Sequence, residues 1–409
     1  MQPPPPGSHP VPDARRPEPD DTRLRRLADG LKSAAAAEGF APVGITTVDP
    51  PETLPRFLEW LAAGHHGTLS FLAESVAARA DPRSLLPEAR SLVCMGYPYW
   101  PDPQPPAAAD EILGHRRDPP PPPPAFGLPR TQVSDSGAVA AYARGRDYHR
   151  VLMRKAIRVC GELDRLAGRH VVTRCCIDIH PLMERDFAVR AGLGWIGKNT
   201  NLLNPTLGSY LFLVEILCEL PLPADPPFAA DHCGSCTACL DACPTRAFPE
   251  PRVLDSRKCI SYLTIERTGP LAEDERRMLG PHVYGCDICQ DVCPYNRRTM
   301  PTPEPELRRP QAEVRTVAGL AELLVLDEAG FLARFAGSPL MRARRQGVLR
   351  NAAVALGNLG DPAALPALDS AAGDPDPVIA EAAAWAAGRI RGGMGGGAGG
   401  AGPGLPGHE

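Results

Sequence analysis

Cys233-Gly-Ser-Cys236-Thr-Ala-Cys239-Leu-Asp-Ala-Cys243-Pro244 is the stretch that decides how this chain is organised. In the spacing C-x2-C-x2-C-x3-C-P, three thiolates hold one iron–sulfur cluster and the fourth crosses to a second. A later run, Cys286-Asp-Ile-Cys289-Gln-Asp-Val-Cys293-Pro294, keeps two ligands and the crossing cysteine but lacks the third near ligand, which Cys259 can supply. Cys233, Cys236, Cys239 and Cys293 are therefore assigned to one 4Fe–4S cluster, and Cys243, Cys259, Cys286 and Cys289 to the other. Zinc is the alternative. A zinc site pairs two C-x2-C elements around one tetrahedral ion, and has no use for a C-P stop or shared ligands. Two interlaced clusters pass electrons one at a time and make an internal wire.

Outside this run the chain reads as globular. It has 409 residues, 43% of them hydrophobic and 22% charged, so more than one domain with ordinary cores is expected. The 49 Pro and 39 Gly are concentrated in tails and one loop: eight Pro fall in the first 20 residues, six run from Pro119 to Pro124, and Gly fills the end after Arg391. A net charge of −4 argues against holding nucleic acid through a global positive field and leaves local basic patches open. The first residues show no apolar signal-like core, and no apolar run approaches the about 18 residues of a membrane span, so a cytoplasmic protein with no membrane partner is expected. In that compartment eight clustered cysteines point to a cofactor rather than disulfides. Cys94, Cys160, Cys175, Cys176 and Cys218 lie in apolar surroundings and read as core thiols.

Strands are expected at Ala41–Thr46, Ser91–Tyr97, Val171–Asp178 and Tyr210–Leu217, with helices at Tyr148–Ala167 and Leu182–Ala191 between them. A first helix carries Leu24, Leu27 and Leu31 and stops near Gly39. The alternation predicts an α/β domain over 22–225, interrupted by a Pro-rich surface loop over 101–136. A two-cluster domain over 226–300 and a helical region over 301–391 follow, with disordered tails at 1–21 and 392–409.

In the helical region, Arg350-Asn-Ala-Ala-Val-Ala-Leu-Gly-Asn-Leu returns 31 positions later as Glu381-Ala-Ala-Ala-Trp-Ala-Ala-Gly-Arg-Ile. With Asp-Pro breaks between, this reads as a HEAT-like helical unit or an alanine-rich hairpin. Arg342, Arg344, Arg345 and Arg350 form a basic run that either meets phosphates or is a solvated face. Gly192-Leu-Gly194-Trp-Ile-Gly197 matches G-x-G-x-x-G, with Glu215 downstream where a ribose-binding acid would fall. It follows a helix and opens none, so a dinucleotide site is rejected.

Taken together, Cys233 to Cys243, Cys259-Ile-Ser-Tyr-Leu-Thr-Ile-Glu266, Tyr284 to Asn296, Gly145-Arg-Asp-Tyr-His149 and Ala191-Gly-Leu-Gly-Trp-Ile-Gly-Lys-Asn-Thr200 resemble the epoxyqueuosine reductase family over roughly residues 22–390. The resemblance implies a cobalamin-binding α/β domain, a ferredoxin-like domain with two 4Fe–4S clusters and a HEAT-like C-terminal region. It also implies the last step of queuosine synthesis on tRNA, removal of the epoxide oxygen from epoxyqueuosine at the wobble position. Partners would be the modified tRNA and an external one-electron donor such as flavodoxin or ferredoxin, and the chain would act as a monomer. A cobalamin-dependent reductive dehalogenase and a ferredoxin-type electron relay are the alternative classes.

The chemistry is consistent with that implication. Converting an epoxide to an alkene takes two electrons and two protons and releases water. Reductive C–O cleavage lies outside side-chain chemistry and calls for a cofactor. Through the resemblance Asp178 is the proton donor, expected to be raised in pKa by burial beside the corrin. Arg79, Tyr142, Asp147, Asn199, Leu202 and Ser261 match positions lining the corrin or the nucleotide pocket. Gly192, Gly194 and Gly197 would let a flat ring approach, with Lys198 facing an anionic corrin side chain or a tRNA phosphate. One departure stands beside the acid: the chain reads Asp178-Ile179-His180-Pro181, and His180 either crowds the cobalt face, ligates cobalt or points away.

Overall fold

The structure is a computed structural model that describes residues 20–101, 138–308 and 316–395. The tail read over 1–21, the loop over 101–136 and the tail over 392–409 lie almost wholly outside these residues. Where they overlap at the two ends, the chain is helical: Asp20–Ala37 (α1) begins inside the first tail, and Pro377–Gly395 runs into the last.

Among the described residues four strands form the central sheet: Val43–Thr46 (β1), Ser91–Pro98 (β2), Thr173–Cys176 (β3) and Leu211–Cys218 (β4). Their order is β1-β2-β4-β3 and every neighbouring pair is antiparallel. The α/β reading left strand direction open. Alternation of helix and strand predicts covered faces, but strand direction depends on where each connection re-enters the sheet. The faces are indeed both covered. Val93, Met95, Val214 and Ile216 pack against α1 and Tyr148–Ala167 (α2), while Leu92, Cys94, Cys176 and Leu217 pack against Glu184–Arg190 (α3).

The helix α2 occupies the expected span because Val151, Leu152, Ala156, Val159 and Leu163 recur on one buried face. Asp147 caps it by accepting a 3.0 Å hydrogen bond from the His149 amide, and Gly168 ends it at φ 68°. β3 and α3 are shorter than read from the sequence, and Asp178 lies in a turn two residues beyond the strand at φ +44°. Of the five scattered cysteines, Cys94, Cys176 and Cys218 are core thiols; Cys160 and Cys175 are only half-buried, their sulfurs 3.5 Å apart.

The helix Ile260–Ile265 (α4) and the strand His282–Tyr284 share a core with the C-terminal helices: Leu263 and Val283 pack with Phe331, Leu349 and Ala383. Packing therefore crosses the boundary drawn at residue 300. Arg344–Leu359 (α5) and Pro377–Gly395 (α6) pair closely because a Cβ on Gly357 would stand 2.8 Å from the Ala386 Cα.

The basic run Arg342–Arg350 is divided: Arg342 and Arg344 are exposed, Arg345 is half-buried and Arg350 is buried. Arg350 is 1% exposed and donates to the carbonyls of Arg267 at 2.7 Å, Gly269 at 2.8 Å and Leu263 at 2.9 Å. Arg345 pairs with Asp374, and Arg342 pairs with Glu266 at 3.1 Å. Arg350→Met would leave three carbonyls short of a donor, each costing about 1–3 kcal/mol. The thermal midpoint is expected to fall by roughly 5 °C or more, and an unchanged midpoint would show that the guanidinium is dispensable.

Candidate active site and cluster domain

Cys239 and Cys289 lie in two short helices, Ala238–Asp241 and Ile288–Asp291, packed against each other, each followed by a Cys-Pro stop; the other cluster cysteines stand in the turns and loops around them. Around Cys239 stand Cys293, Cys236 and Cys233, and around Cys293 stand Cys233 and Cys236. Cys259 and Cys243 neighbour Cys286; the same two and Cys286 neighbour Cys289, with Cys239 beyond. The thiols thus gather into the two quartets read from the spacing, with the crossing cysteines exchanged. Burial first, then repulsion from the other thiols, pushes Cys239 up to about 12 and Cys293 to about 11. Bound iron would relieve that repulsion by holding them as thiolates. Among the described residues no three His, Cys, Asp or Glu converge on a single-ion site. A zinc ion draws its sulfurs to about 2.3 Å from one centre, whereas a four-iron cube spreads its ligands more widely.

The segment after α3 braces this domain, and it carries several of the residues assigned to the ligand. Lys198 Nζ donates to the carbonyls of Gly234 at 2.7 Å and Cys236 at 2.9 Å, closing the first cysteine loop. Asn199 is buried and donates to the Cys289 carbonyl at 3.1 Å. Leu202 is a buried core residue paired with Ile196. The three glycines face their own chain: a Cβ would meet Pro226 O at 2.7 Å from Gly192, Leu203 O at 2.0 Å from Gly194, and Leu203 Cδ1 at 2.5 Å from Gly197. Any contact with a ring there falls to backbone or to other residues. Trp195, stacked with Phe228, donates from Nε1 to Cys233 Sγ at 3.4 Å. Ser261 is half-buried at the start of α4, and its amide, with that of Tyr262, points at the Cys259 sulfur.

Asp178 stands at the other side of this segment. Its side chain is 59% exposed, and its left-handed φ is one that Asp tolerates. Tyr148 OH donates to Asp178 Oδ2 at 2.5 Å, and His149 Nε2 lies 3.4 Å from the same oxygen. Desolvation opposes ionisation, but His149 and Tyr148 outweigh it and hold the Asp178 carboxyl below its ordinary range. This reverses the expected direction of its shift. Arg79 anchors the turn by donating to the Leu182 carbonyl at 3.0 Å, with Asp178 and Glu184 within its field. Tyr142 packs edge-on to Tyr148 with ring centres 6.1 Å apart. Asp147 serves as helix cap and as partner of His149 Nδ1 at 2.7 Å. His180 is half-buried, its Nδ1 accepting from the Ile177 amide at 3.1 Å.

Arg79, Tyr142, Asp147 and Asp178 therefore converge, while Asn199, Leu202 and Ser261 belong to the wall toward the clusters. Tyr148, His149 and Glu184 were not singled out from the sequence. Asp147-Tyr-His149 at a helix start was a usable signal, since a cap carboxylate beside an imidazole fixes the ring. Glu184 is half-buried with its Oε1 shielded from water, and desolvation, then the charge of Asp178, raise it to about 8. Glu215, the rejected ribose acid, is fully buried in the sheet opposite both Cys94 and Cys176, and burial keeps it protonated.

Comparison with known proteins adds independent findings. Residues 79–179 match the family described as epoxyqueuosine reductase QueG, DUF1730; residues 232–296 match a 4Fe-4S double cluster binding domain, and residues 338–395 match HEAT repeats. The epoxyqueuosine reductase of Pseudomonas aeruginosa is 39% identical over 364 residues, 88% of this chain and 94% of that relative. That of Escherichia coli is 38% identical over 367 residues, 89% of each chain. A crystal structure of epoxyqueuosine reductase with a tRNA-Tyr epoxyqueuosine-modified stem loop matches with a TM-score of 0.75 at 32% identity, covering 90% of this chain and 91% of that one. The Bacillus subtilis enzyme, captured with its catalytic aspartate loop swung out of the active site, matches with a TM-score of 0.74 at 31% identity over 90% and 91%.

Proposed function

The chain belongs to the epoxyqueuosine reductase family, and we propose that its catalytic unit is the Asp178 turn facing the double-cluster domain. The reaction is the reduction of epoxyqueuosine to queuosine in tRNA, an oxidoreductase step that takes two electrons and two protons and releases the oxygen as water. The observation that carries the assignment is the placement of Asp178, with Tyr148 and His149 on its Oδ2, across one braced segment from the two thiol quartets. Each quartet would hold one 4Fe–4S cluster: Cys233, Cys236, Cys239 and Cys293 the first, and Cys243, Cys259, Cys286 and Cys289 the second. Single electrons would enter from a one-electron donor such as flavodoxin or ferredoxin.

The residues around Asp178 suit a corrin in part. Asp178, Arg79 and Tyr142 form a set able to meet amide side chains and a reacting oxygen, while Asn199 and Leu202 would contribute only backbone. When bound, cobalamin supplies the low-valent metal that reductive C–O cleavage requires. The residues do the rest. Tyr148 orients Asp178, Arg79 fixes the turn that presents it, and the Asp178 carboxyl delivers a proton to the oxygen leaving carbon. The chain would act as a monomer in the cytoplasm, where its tRNA substrate resides; among the described residues no helix is long and apolar enough to cross a membrane.

The test is anaerobic incubation of the purified protein with cobalamin, a strong one-electron reductant and tRNA bearing epoxyqueuosine, followed by nucleoside mass spectrometry. Loss of one oxygen only when cobalamin is added is the expected result. Conversion without any corrin would remove cobalamin from the reading, and no conversion with both clusters intact would point to a different substrate or to an electron relay.

A further inference from the structure

On the reductase reading above, two protons must reach the site for every epoxide consumed, and Asp178 as found is a carboxylate without one to give. The group behind it is His149. Its Nδ1 is 2.7 Å from Asp147 Oδ1, and its Nε2 lies 3.4 Å from Asp178 Oδ2, buried and without a hydrogen-bond partner. The ring cannot turn away freely: it stacks on Tyr148 at 4.1 Å between centres, and Tyr148 stacks on Phe212 at 4.1 Å. A buried ring nitrogen facing a carboxylate oxygen, on a ring fixed by a second carboxylate, is a proton-transfer geometry that a small closure would complete.

We propose that His149 is the proton store of the reaction, passing its Nε2 proton to the Asp178 carboxylate, which hands it to the oxygen leaving carbon. The balance closes. Both C–O bonds of the epoxide break, one C=C bond forms, and the two electrons arrive singly through the clusters from the external donor. One proton comes from His149, left neutral with Nδ1–H on Asp147. The other enters from solvent at the exposed Asp178, and the oxygen departs as water. Solvent then recharges the imidazole.

The surrounding charges support a stored proton. On its own helix His149 has Asp147, Tyr148 and Arg150; across from it stand Asp178 with Glu184 and Arg185, and beyond these Arg79 and Tyr142. Burial disfavours the cation, but Asp147 and Asp178 overcome it and raise His149 to about 9. The store is therefore full at neutral pH and empties as pH rises through about 9. The same sign holds for stability: the interaction is complete below the ordinary histidine value near ~6.5 and is lost through that higher pH.

The experiment is an NMR titration of the histidine rings in the full chain with both clusters, comparing wild type with Asp147→Asn. Asn caps a helix about as well as Asp, so the variant removes the charge and keeps α2. Wild-type His149 is expected to titrate near 9, and in Asp147→Asn toward the ordinary value. In the cobalamin- and tRNA-dependent assay, wild-type turnover should fall as pH rises through about 9, and Asp147→Asn should fall at lower pH. His149→Gln should lose roughly 100-fold together with that pH dependence. A wild-type His149 titrating near or below the ordinary value overturns the proposal, as does a His149→Gln enzyme with the wild-type pH profile. Absence of any wild-type turnover would instead sink the reductase reading, while the titration still reports whether the ring holds a proton.

Discussion

Asp178→Asn is expected to cut turnover by roughly 100- to 10,000-fold, the span of general acid catalysis, while iron content and tRNA binding stay at wild-type levels. Asn is the substitution of choice because residue 178 sits at φ +44°, a conformation that Asn adopts with little strain and Ala resists. It still accepts the Tyr148 hydroxyl, so the turn keeps its anchor. What it loses is the ability to carry a proton, and the negative charge that helps hold His149 protonated. His149 should then titrate lower in the variant than in wild type. Cluster content is read by iron analysis, tRNA binding by filter retention and turnover by nucleoside mass spectrometry. A variant retaining more than half of wild-type turnover would take Asp178 out of proton delivery.

The second large effect concerns the crossed thiols. Cys293→Ser and Cys243→Ser should each abolish turnover and each halve the bound iron, because either change breaks one cluster of the wire. They should differ in which cluster goes. Cys293 stands among Cys233, Cys236 and Cys239, whereas Cys243 stands beside Cys259, Cys286 and Cys289. Trp195 reports the difference, since its indole N–H contacts Cys233 Sγ at 3.4 Å. Iron held there quenches its emission, so Cys293→Ser should restore fluorescence and Cys243→Ser should restore much less. The reverse pattern would mean that each cysteine run holds its own cluster without crossing.

How far the sequence could be read depended on the range of the interaction. The cysteine runs were legible because ligand spacing is local: two or three intervening residues set the reach of neighbouring thiolates. Helix α2 was legible to its ends, since its apolar period, its Asp147 cap and its Gly168 stop all lie within one segment. The packing of the glycine run and Lys198 could not be read because a string carries no direction. Only packing shows Gly194 pressed on the Leu203 carbonyl and Lys198 turned onto the cysteine loop. In the arginine run the string does not show which member is buried, for Arg350 finds its carbonyls more than eighty positions away.

The sequence alone determined the two-cluster domain, the order of the elements and, through the family motifs, the reaction. Each rests on short-range spacing that survives without knowledge of the fold. The tertiary structure decided that the sheet is antiparallel and that Arg350 belongs to the core. It also decided that Asp178 stands on an exposed turn with His149 Nε2 3.4 Å from its Oδ2. These depend on groups from separate elements meeting in space, where local charge and access to water, not residue type, set which atom holds the proton.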